Sequence, residues 1–277
     1  IAQKNITMKK NVIVTLADES FIDQAKQLFS SIYFNAKWKG DCLLLTNKMS
    51  KSNQEWFEKR GILIKVCQWP PRVKYSGYPK IVGCKLFLFH SYIKKWNKII
   101  YLDADIIVRK PLTSLTHYRG FYASPEKGPG TFEYEILDPI TIFQKIKKKI
   151  LFIILNKHTK AFNSGVLVFD SAIIDTWFFP KLYIIALIFG SLSKYGEQAL
   201  LNIEFMNGFK KLPNTYNYFP KYHEYFHNVN LKDVDEHIIH FVDNGPDNKP
   251  WNRKNHFYPE WKRNLRKSDK IIFLDNE

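Results

Sequence analysis

The sequence predicts an α/β fold in which a mostly parallel sheet carries helices on both faces. In the first third of the chain, short apolar and β-branched runs alternate with segments whose apolar residues recur at helical spacing. This alternation is typical of parallel sheets, because a crossover, usually a helix, must connect one parallel strand to the next. The 277 residues are 45% hydrophobic and 16% aromatic, which is sufficient for one such domain with a sizeable core.

The apolar runs and the amphipathic segments between them define the predicted elements. Strands are predicted at Asn11–Leu16, Cys42–Thr46, Ile62–Val66, Ile99–Leu102, Phe121–Ser124, Val166–Phe169 and His237–Val242. Helices are predicted from Ser20 in a capping-box pattern with Asp23, from Ser52 with Glu55 as far as Gly61, and at about 81–94 and 195–205. Because parallel sheets bind ligands beyond the carboxyl ends of their strands, functional residues are expected at that edge.

The domain organisation is predicted to be simple. Residues 1–7 precede Met8 and are interpreted as an extraneous or disordered N-terminal remnant, and residues 8–277 as a single domain. Within it, residues from about 126 to 161 form an insertion, and the segment from about 252 to 277 is basic. Ile140–Leu155 combines lysines with apolar flanks, which fits either a surface helix packed on the sheet or a lid or peripheral membrane attachment.

Charge and cysteine content limit the classes of function and the compartment. The formal net charge is +16, but lysine and arginine are dispersed, which favours a solvated basic surface over a specific nucleic-acid role. Cys42, Cys67 and Cys84 are odd in number and lack CxxC spacing, so a disulfide framework and a structural zinc site are not expected. No signal peptide or spanning helix is recognised, and a soluble protein of the cytoplasm or another reducing compartment is expected.

Asp103 and Asp105 are the sharpest chemical feature, because they follow a predicted buried strand directly. In extended backbone, residues i and i+2 project to the same side, so both carboxylates can face one ion. Two like charges buried this close together are costly unless a cation neutralises them, and hard divalent cations take oxygen ligands. Taken alone, the pair fits a solvated acidic turn better than a metal site.

A second feature, at the end of a late predicted strand, begins with His240. An imidazole beside two carboxylates suits Mn²⁺ better than Ca²⁺, because nitrogen ligands favour transition metals. Gly245 would let the backbone approach a phosphate, and Lys249 would supply a positive charge to it. The competing interpretation of this segment alone is a turn with an incidental histidine and lysine.

Together these segments resemble glycosyltransferase family 8, the retaining enzymes that include glycogenin, galactinol synthase and bacterial galactosyltransferases. The resemblance runs in order along nearly the whole chain, through Val14-Thr-Leu16-Ala17 with Phe21, Lys85-Leu86, Asp103-Ala-Asp105, Arg109-Lys-Pro-Leu112, Phe162-Asn163-Ser164-Gly165, Gly196-Glu197-Gln198, Leu212-Pro-Asn-Thr-Tyr216-Asn217 and His240 to Trp251. It implies a GT-A type fold, with a Rossmann-like, mostly parallel mixed sheet.

The resemblance also implies the reaction and the roles of the residues. A hexose, glucose first and galactose second, would move with retention from a UDP-sugar to a hydroxyl of a glycan, a polyol or a protein, with Mn²⁺ or alternatively Mg²⁺ as cofactor. The implied roles are metal binding by Asp103, Asp105 and His240; nucleotide binding by Leu16, Ala17, Phe21 and Ala104; diphosphate binding by Gly245 and Lys249; sugar binding by Lys85, Asn163 and Gly165; and catalysis by Glu197, Gln198 and Lys249. A homodimer is a further expectation.

Two departures from the family pattern and several competing functions accompany this hypothesis. Glu197 stands where many relatives carry Asp, and the stretch between Ser124 and Asn163 is longer than in glycogenin, with Glu126 as the candidate sugar-binding acid. A metal-dependent nucleotidyltransferase would need a phosphate loop rich in Gly, Arg or Lys after the first strand, and a dehydrogenase would need GxGxxG there; neither is present. A metal-dependent nucleotide-sugar hydrolase on a similar sheet and a basic non-enzymatic binding module also compete with glycosyl transfer.

Overall fold

The structure is a computed structural model that describes residues 10–68, 73, 75, 77–128, 130–242 and 245–273. The expectation for residues 1–7 lies outside these described residues. All structural statements below concern the described part of the chain.

A seven-stranded mixed sheet forms the centre of the molecule, which confirms the predicted α/β class. The strands are β1 Val12–Leu16, β2 Asp41–Thr46, β3 Ile62–Val66, β4 Lys98–Leu102, β5 Ile106–Val108, β6 Phe121–Pro125, β7 Phe162–Asp170, β8 Lys210–Lys211 and β9 Ile238–His240. The sheet order is β3-β2-β1-β4-β7-β6-β8, and β5 pairs with β9 in a separate two-stranded sheet. Neighbours among β1 to β4 are parallel, whereas β7 is antiparallel to both β4 and β6.

Helices cover both faces of this sheet. They are α1 Ile22–Asn35, α2 Lys51–Glu58, α3 Ile142–Ile154, α4 Phe178–Phe189, α5 Gln198–Phe205, α6 Pro220–His227 and α7 Tyr258–Lys267. Side chains of β1 alternate between the two cores: Val12 and Val14 pack with α4 and α5, whereas Ile13 packs with α1. This alternation is the period of two that a strand imposes, and it buries the sheet on both sides.

The segment predicted as one helix at 81–94 is instead two 3₁₀ helices, Lys80–Phe89 and Ser91–Lys95. They are separated at His90, whose backbone is extended and whose side chain accepts a hydrogen bond from the Tyr92 amide at 3.1 Å. Most residues of the first helix are buried, so the segment has no solvent face of α-helical period. Packing on every side therefore decides its backbone conformation, against the local propensity.

Both predicted helix caps were wrong by a few residues. Asp18 accepts from the Ser20 amide at 3.0 Å and opens a 3₁₀ turn before α1, and Ser50 accepts from the Asn53 amide at 3.4 Å to cap α2. In each case a second side chain suited to capping lies two residues earlier in the sequence. Sequence alone does not distinguish such neighbours, because each has a side-chain oxygen that can cap a helix and the exact first residue of a helix is not fixed by local sequence.

The late strand was predicted at His237–Val242 and is found at Ile238–His240, where it pairs with β5. The short β5, β8, α4, α6 and α7 were not predicted. α4 is strongly apolar around most of its circumference, so it lacks the stripe that marks a helix in sequence. Among the described residues, no helix combines the length and apolar character that crossing a bilayer requires.

The insertion contains the predicted helix, α3, and a 3₁₀ helix at Phe132–Glu135. An isolated bridge between Thr131 and Lys160 closes its base. Leu151 is the buried residue of α3, where it packs in a small core with Phe132 and Leu192. The basic C-terminal segment forms α7, which packs on α1; its last four residues lie outside the described chain.

A buried ion pair joins the two strands at the centre of the sheet. Lys98, at the start of β4, is fully buried, and its ammonium donates to the carboxylate of Asp170 and to the carbonyl of Tyr118. Asp170 also accepts from the Gly120 amide at 2.6 Å and lies 3.5 Å from Arg119. Burial lowers the pKa of Lys98, so the pair depends on both partners being present.

We expect Asp170→Ala to destabilise the fold by about 3–5 kcal/mol, because it leaves the Lys98 ammonium buried without a counter-charge. Lys98→Met should cost less, since the carboxylate keeps the Gly120 amide and Arg119. The control is Asp269→Ala, which breaks an ion pair with Arg60 at a side chain that is 75% exposed and should cost about 1 kcal/mol or less. Urea denaturation measures all three, and equal losses for the two aspartate variants would contradict the expectation.

Candidate functional site

Two acids and an imidazole meet at the carboxyl end of β4. Asp103 follows β4, Asp105 precedes β5, and His240 ends β9, where the β5–β9 pairing sets it opposite Ile106. The His240 Nε2 atom lies 3.2 Å from Asp105 Oδ1 and 3.8 Å from Asp103 Oδ2. One potential ligand atom from each of the three residues lies within 4.8 Å of the others. The structure therefore brings the predicted trio together in a geometry that one ion could share.

Asn217 fixes the orientation of His240, which is only 2% exposed. The His240 Nδ1 atom lies 2.8 Å from Asn217 Oδ1, and the Asn217 amide nitrogen donates to Asn163 Oδ1 at 3.1 Å. Since Asn217 Oδ1 is then an acceptor, Nδ1 carries the proton and Nε2 turns its lone pair toward the two acids. Asn217 lies in one of the family-like motifs, but no role was predicted for it from the sequence.

Gly165, in β7, supplies the floor of the cluster. A Cβ atom at this position would lie 2.0 Å from His240 Cε1 and 2.8 Å from Asp103 Oδ2. The Gly165 carbonyl also accepts from the Asp103 amide at 2.8 Å. Only glycine lets the backbone of β7 pass this close to the imidazole and the carboxylate.

Two lysines offset the negative charge, and Lys85 lies on the side of Asp103. Its ammonium is 2.9 Å from Asp103 Oδ1 and 2.5 Å from Glu197 Oε1, and Tyr101 donates to Asp103 Oδ1 at 2.6 Å. Burial acts to lower the pKa of Lys85, but the two carboxylates outweigh it and raise that pKa above its usual range. Lys85 therefore remains a cation that links the two acids.

Lys249 offsets the negative charge of Asp105, as Lys85 does for Asp103. Its ammonium is 2.7 Å from Asp105 Oδ2 and also donates to the carbonyl of Phe241. Burial opposes ionisation of Asp105, but Lys249 and then His240 hold the pKa of this carboxyl well below its usual range. The cluster offers carboxylate oxygens together with an imidazole nitrogen, a donor set that suits a divalent transition-metal ion.

Gln198, at the start of α5, is the centre of a second polar cluster. Its side-chain oxygen accepts from the Ser164 amide at 2.9 Å, and its nitrogen donates to Glu135 at 3.0 Å and to Glu126 at 3.2 Å. The Asn163 side-chain nitrogen lies 3.3 Å from the Gln198 oxygen and 3.4 Å from Glu126 Oε2. Glu126, the candidate acid of the insertion, therefore lies beside Asn163 and Gln198, to which the resemblance assigned sugar binding and catalysis respectively.

Glu135 belongs to this cluster, and it was not predicted from the sequence. It is buried, and burial followed by the charge of Glu126 raises its pKa well above the usual range for a carboxyl. No signal in a single sequence singles it out, because it lies in the insertion and meets Gln198 only through the fold.

Glu197 is held by two donors. Lys85 and the Ser164 hydroxyl, at 3.1 Å, both donate to its Oε1 atom, and the residue precedes the first turn of α5. Burial raises its pKa and Lys85 acts against that increase. The side chain is therefore fixed in position and is linked to Asp103 through the Lys85 ammonium.

The residues assigned to the nucleotide lie at the same edge of the sheet. Leu16 ends β1, whose register with β4 pairs Val14 with Tyr101, and Ala17 and Ala104 are both buried. Phe21 is 43% exposed and contacts Trp251 edge-to-face at 6.1 Å between ring centroids. Phe21 thus lies at the rim, apart from the polar clusters.

Gly245 follows Asp243 and Asn244, which lie outside the described residues. Its φ is −60°, a conformation open to any residue, so conformational freedom does not explain this glycine. The approach of its backbone to a phosphate stays a prediction.

A cavity of about 920 Å³ opens beside the acid–imidazole cluster. His240 and Glu126 form part of its wall on the side of the cluster. The wall also carries aromatic side chains of α6 and its flanks, namely Phe219, Tyr222, Tyr225 and Phe226. The cavity can therefore hold a second molecule next to whatever the acids and lysines bind.

The fold is that of the GT-A type glycosyltransferases. The model of glycosyl transferase family 8 matches residues 12–255, and the chain belongs to this family. Glycosyl transfer is accordingly its class of activity. Among curated proteins, none matches the sequence.

Solved glycosyltransferases share the fold at low sequence identity. The galactosyltransferase LgtC, in complex with donor and acceptor sugar analogues, is 17% identical with a TM-score of 0.66 over 96% of this chain and 98% of its own. The apo bifunctional glycosyltransferase WbbM is 15% identical with a TM-score of 0.68 over 99% of this chain and 53% of its own. GlyE from Streptococcus pneumoniae TIGR4 is 18% identical with a TM-score of 0.65 over 95% and 63%. This chain thus spans about half the length of WbbM.

If the cluster binds a divalent metal ion, Gly165→Ala should weaken that binding at least tenfold, because the added methyl group must displace His240 or Asp103. The matched control is Gly208→Ala, whose Cβ would meet nothing within 4 Å and which should leave binding unchanged. Isothermal titration calorimetry with MnCl₂ measures both. Equal affinity for the two variants would show that the floor of the cluster does not position the ligands.

Proposed function

We propose that this chain is a retaining hexosyltransferase that moves glucose, or as a second choice galactose, from a UDP-sugar to a hydroxyl acceptor. Asp103, Asp105 and His240 would hold Mn²⁺, with Mg²⁺ as the alternative ion. The observation that carries the proposal is the convergence of these side chains within 4.8 Å, from segments far apart in the sequence. Membership of the glycosyltransferase family supports the reaction class.

The leaving group is a diphosphate, so its departure concentrates negative charge. The ion, when bound, would stabilise that charge as a Lewis acid. Lys249 would add a second positive charge, because its ammonium already lies beside Asp105. Such interactions accelerate the reaction to the extent that they are stronger in the transition state than in the ground state.

The transferred sugar would lie over β7 and the start of α5. Breaking its bond to the diphosphate leaves positive charge on the anomeric carbon and ring oxygen, and a nearby carboxylate favours that charge. Glu197 fits this task because Lys85 and Ser164 hold its carboxylate in place. With the acceptor attacking on the face that the diphosphate leaves, the configuration is retained.

The main role of Gln198 would be to position neighbouring side chains. Its amide makes hydrogen bonds through both its oxygen and its nitrogen, which fixes the Glu126 and Asn163 side chains around the sugar hydroxyls. One of the similar structures is an active-site glutamine-to-glutamate mutant of LgtC, so a glutamine is part of that enzyme's active site. Lys85 and Gly165 would complete the sugar side.

The nucleotide would lie along the ends of β1 and β4. Leu16 and Ala104 would flank the uracil ring, with Ala17 and Phe21 in the adjoining loop, and Gly245 would approach the diphosphate. These roles rest on the family resemblance of each motif and on the position of Leu16 and Ala104 at the same sheet edge as the acids.

The acceptor would occupy the neighbouring cavity. Aromatic rings stack on the apolar faces of sugars, and Tyr222, Tyr225 and Phe226 provide such rings in its wall. A glycan is therefore the acceptor class that we favour over a polyol or a protein hydroxyl. Its reacting hydroxyl would enter past His240 and Glu126.

The test is donor hydrolysis with Mn²⁺ across UDP-glucose, UDP-galactose and other UDP-sugars. We expect one UDP-hexose to be consumed with release of UDP, and Asp105→Asn to lower kcat/KM by about 10³-fold or more, as loss of several kcal/mol of charge stabilisation requires. The matched control is Asp235→Asn, which changes an exposed acid paired with Lys110 and should leave the rate unchanged.

Two results would contradict the proposal. One is full activity of Asp105→Asn in the presence of a chelator, which would exclude the metal role. The other is consumption of no UDP-sugar by wild-type protein that binds Mn²⁺, which would exclude the donor class.

For the acceptor, we expect Tyr225→Ala to raise the acceptor KM about tenfold, since loss of one stacked aromatic is worth about 1–1.5 kcal/mol. Donor hydrolysis without acceptor should be unchanged, because Tyr225 lines only the cavity. Tyr134→Ala, at another exposed tyrosine outside the cavity wall, is the control. Steady-state kinetics with an oligosaccharide acceptor found by screening separates the two, and an unchanged KM would move the acceptor elsewhere.

A further inference from the structure

α3 turns an apolar face to solvent. Phe143 and Ile153 are each 74% exposed, in a helix of 13 residues. The other large exposed side chains of the helix are Ile142, Ile146, Ile150 and Ile154. At 100° per residue, these positions fall within one third of the helix circumference. A continuous apolar stripe of this size, directed to solvent, indicates a binding surface.

The stripe is presented by a firmly anchored helix. Thr141 and Gln144 form a reciprocal capping box, each side chain accepting from the other's amide at 3.2 Å. Leu151 lies outside the stripe and packs with Phe132 and Leu192 in the small core below. The face of the helix that looks outward is therefore set by packing.

Lysines border the stripe. Lys145 and Lys149 are exposed along one side and Lys147 lies along the other, whereas Lys148 pairs with Asp138 at 3.0 Å. The helix contains no aspartate or glutamate. An apolar face with cationic borders is the pattern of helices that lie in the interface of a membrane, where the apolar face enters the acyl region and the lysines meet anionic headgroups.

We propose that α3 docks this protein on the surface of an anionic lipid membrane, with the helix in the plane of the interface. A length of about 20 Å is too short to span a bilayer. A second copy of the chain is a poorer occupant, because a two-fold contact through this face sets the lysines of both copies together without acids on the helix. The net charge of +16 adds attraction to an anionic surface.

Docking in this way would also orient the candidate site. The insertion that carries α3 contains Glu126 and Glu135, and both accept hydrogen bonds from Gln198. The helix and the sugar-side cluster thus belong to one connected segment, which would hold the site at a defined distance from the lipid surface.

The experiment is sedimentation of the full chain with vesicles of phosphatidylcholine alone and of phosphatidylcholine with phosphatidylglycerol. We expect binding to the mixed vesicles only, weakening as salt is raised. Phe143→Glu with Ile153→Glu should weaken binding at least tenfold. The matched control is Val66→Glu with Ile272→Glu, which places the same charges at two exposed apolar residues outside α3 and should retain most of the binding.

A second variant tests the lysines. Lys145→Gln with Lys149→Gln should weaken binding to the mixed vesicles by about fivefold per lysine, and it leaves the apolar face intact. Thermal melting checks that each variant is folded. If the glutamate variant fails to fold, the glutamine variant still tests whether α3 binds the anionic vesicles.

Three results would overturn the proposal: no binding of wild type to the mixed vesicles, unchanged binding by the folded α3 variants, or a dimer in analytical ultracentrifugation that the α3 variants dissociate. The last would assign the face to a second copy. Because none of these measurements uses glycosyl transfer, their outcome is independent of the proposed function.

Discussion

The site depends on one electrostatic constraint: two carboxylates, at Asp103 and Asp105, lie close together where a buried strand ends. Like charges at this separation repel strongly in a low-dielectric interior, so the fold must supply positive charge and fixed dipoles around them. Lys85 serves Asp103 and Lys249 serves Asp105, while His240 presents a nitrogen to both. Neighbouring features of the site, including the glycine in β7, follow from the need to bring these groups into contact.

The same constraint connects the acid–imidazole cluster to the polar cluster around Gln198. Lys85 contacts both Asp103 and Glu197, and Ser164 joins Glu197 to β7. Gln198 then joins β7 to the insertion through Glu135. Hydrogen-bonded networks of this kind respond as units, so effects of substitutions within it should be non-additive. The insertion is accordingly both part of the site and the carrier of the exposed helix α3.

Much of the fold and of the site could be predicted where the signal is local. The apolar runs of β1 to β4 predicted the parallel sheet, and their ends predicted where Asp103 and Asp105 would lie. Predictions failed where burial overrides local pattern. The segment Lys80–Phe89 is buried on most sides, so its apolar residues carry no α-helical period. The helix α4 was missed because it is apolar around most of its circumference and so lacks an amphipathic stripe.

The sequence by itself determined the candidate residues for the chemistry, because carboxylates at a strand end, an imidazole and a family-like order of motifs are properties of the chain. Only the tertiary structure decided which of them touch. Glu135 meets Gln198, and Asn217 orients His240, across separations in sequence that no local pattern spans. It likewise decided that α3 packs through Leu151 and leaves its isoleucines in solvent, since the face a helix buries is set by what lies beneath it.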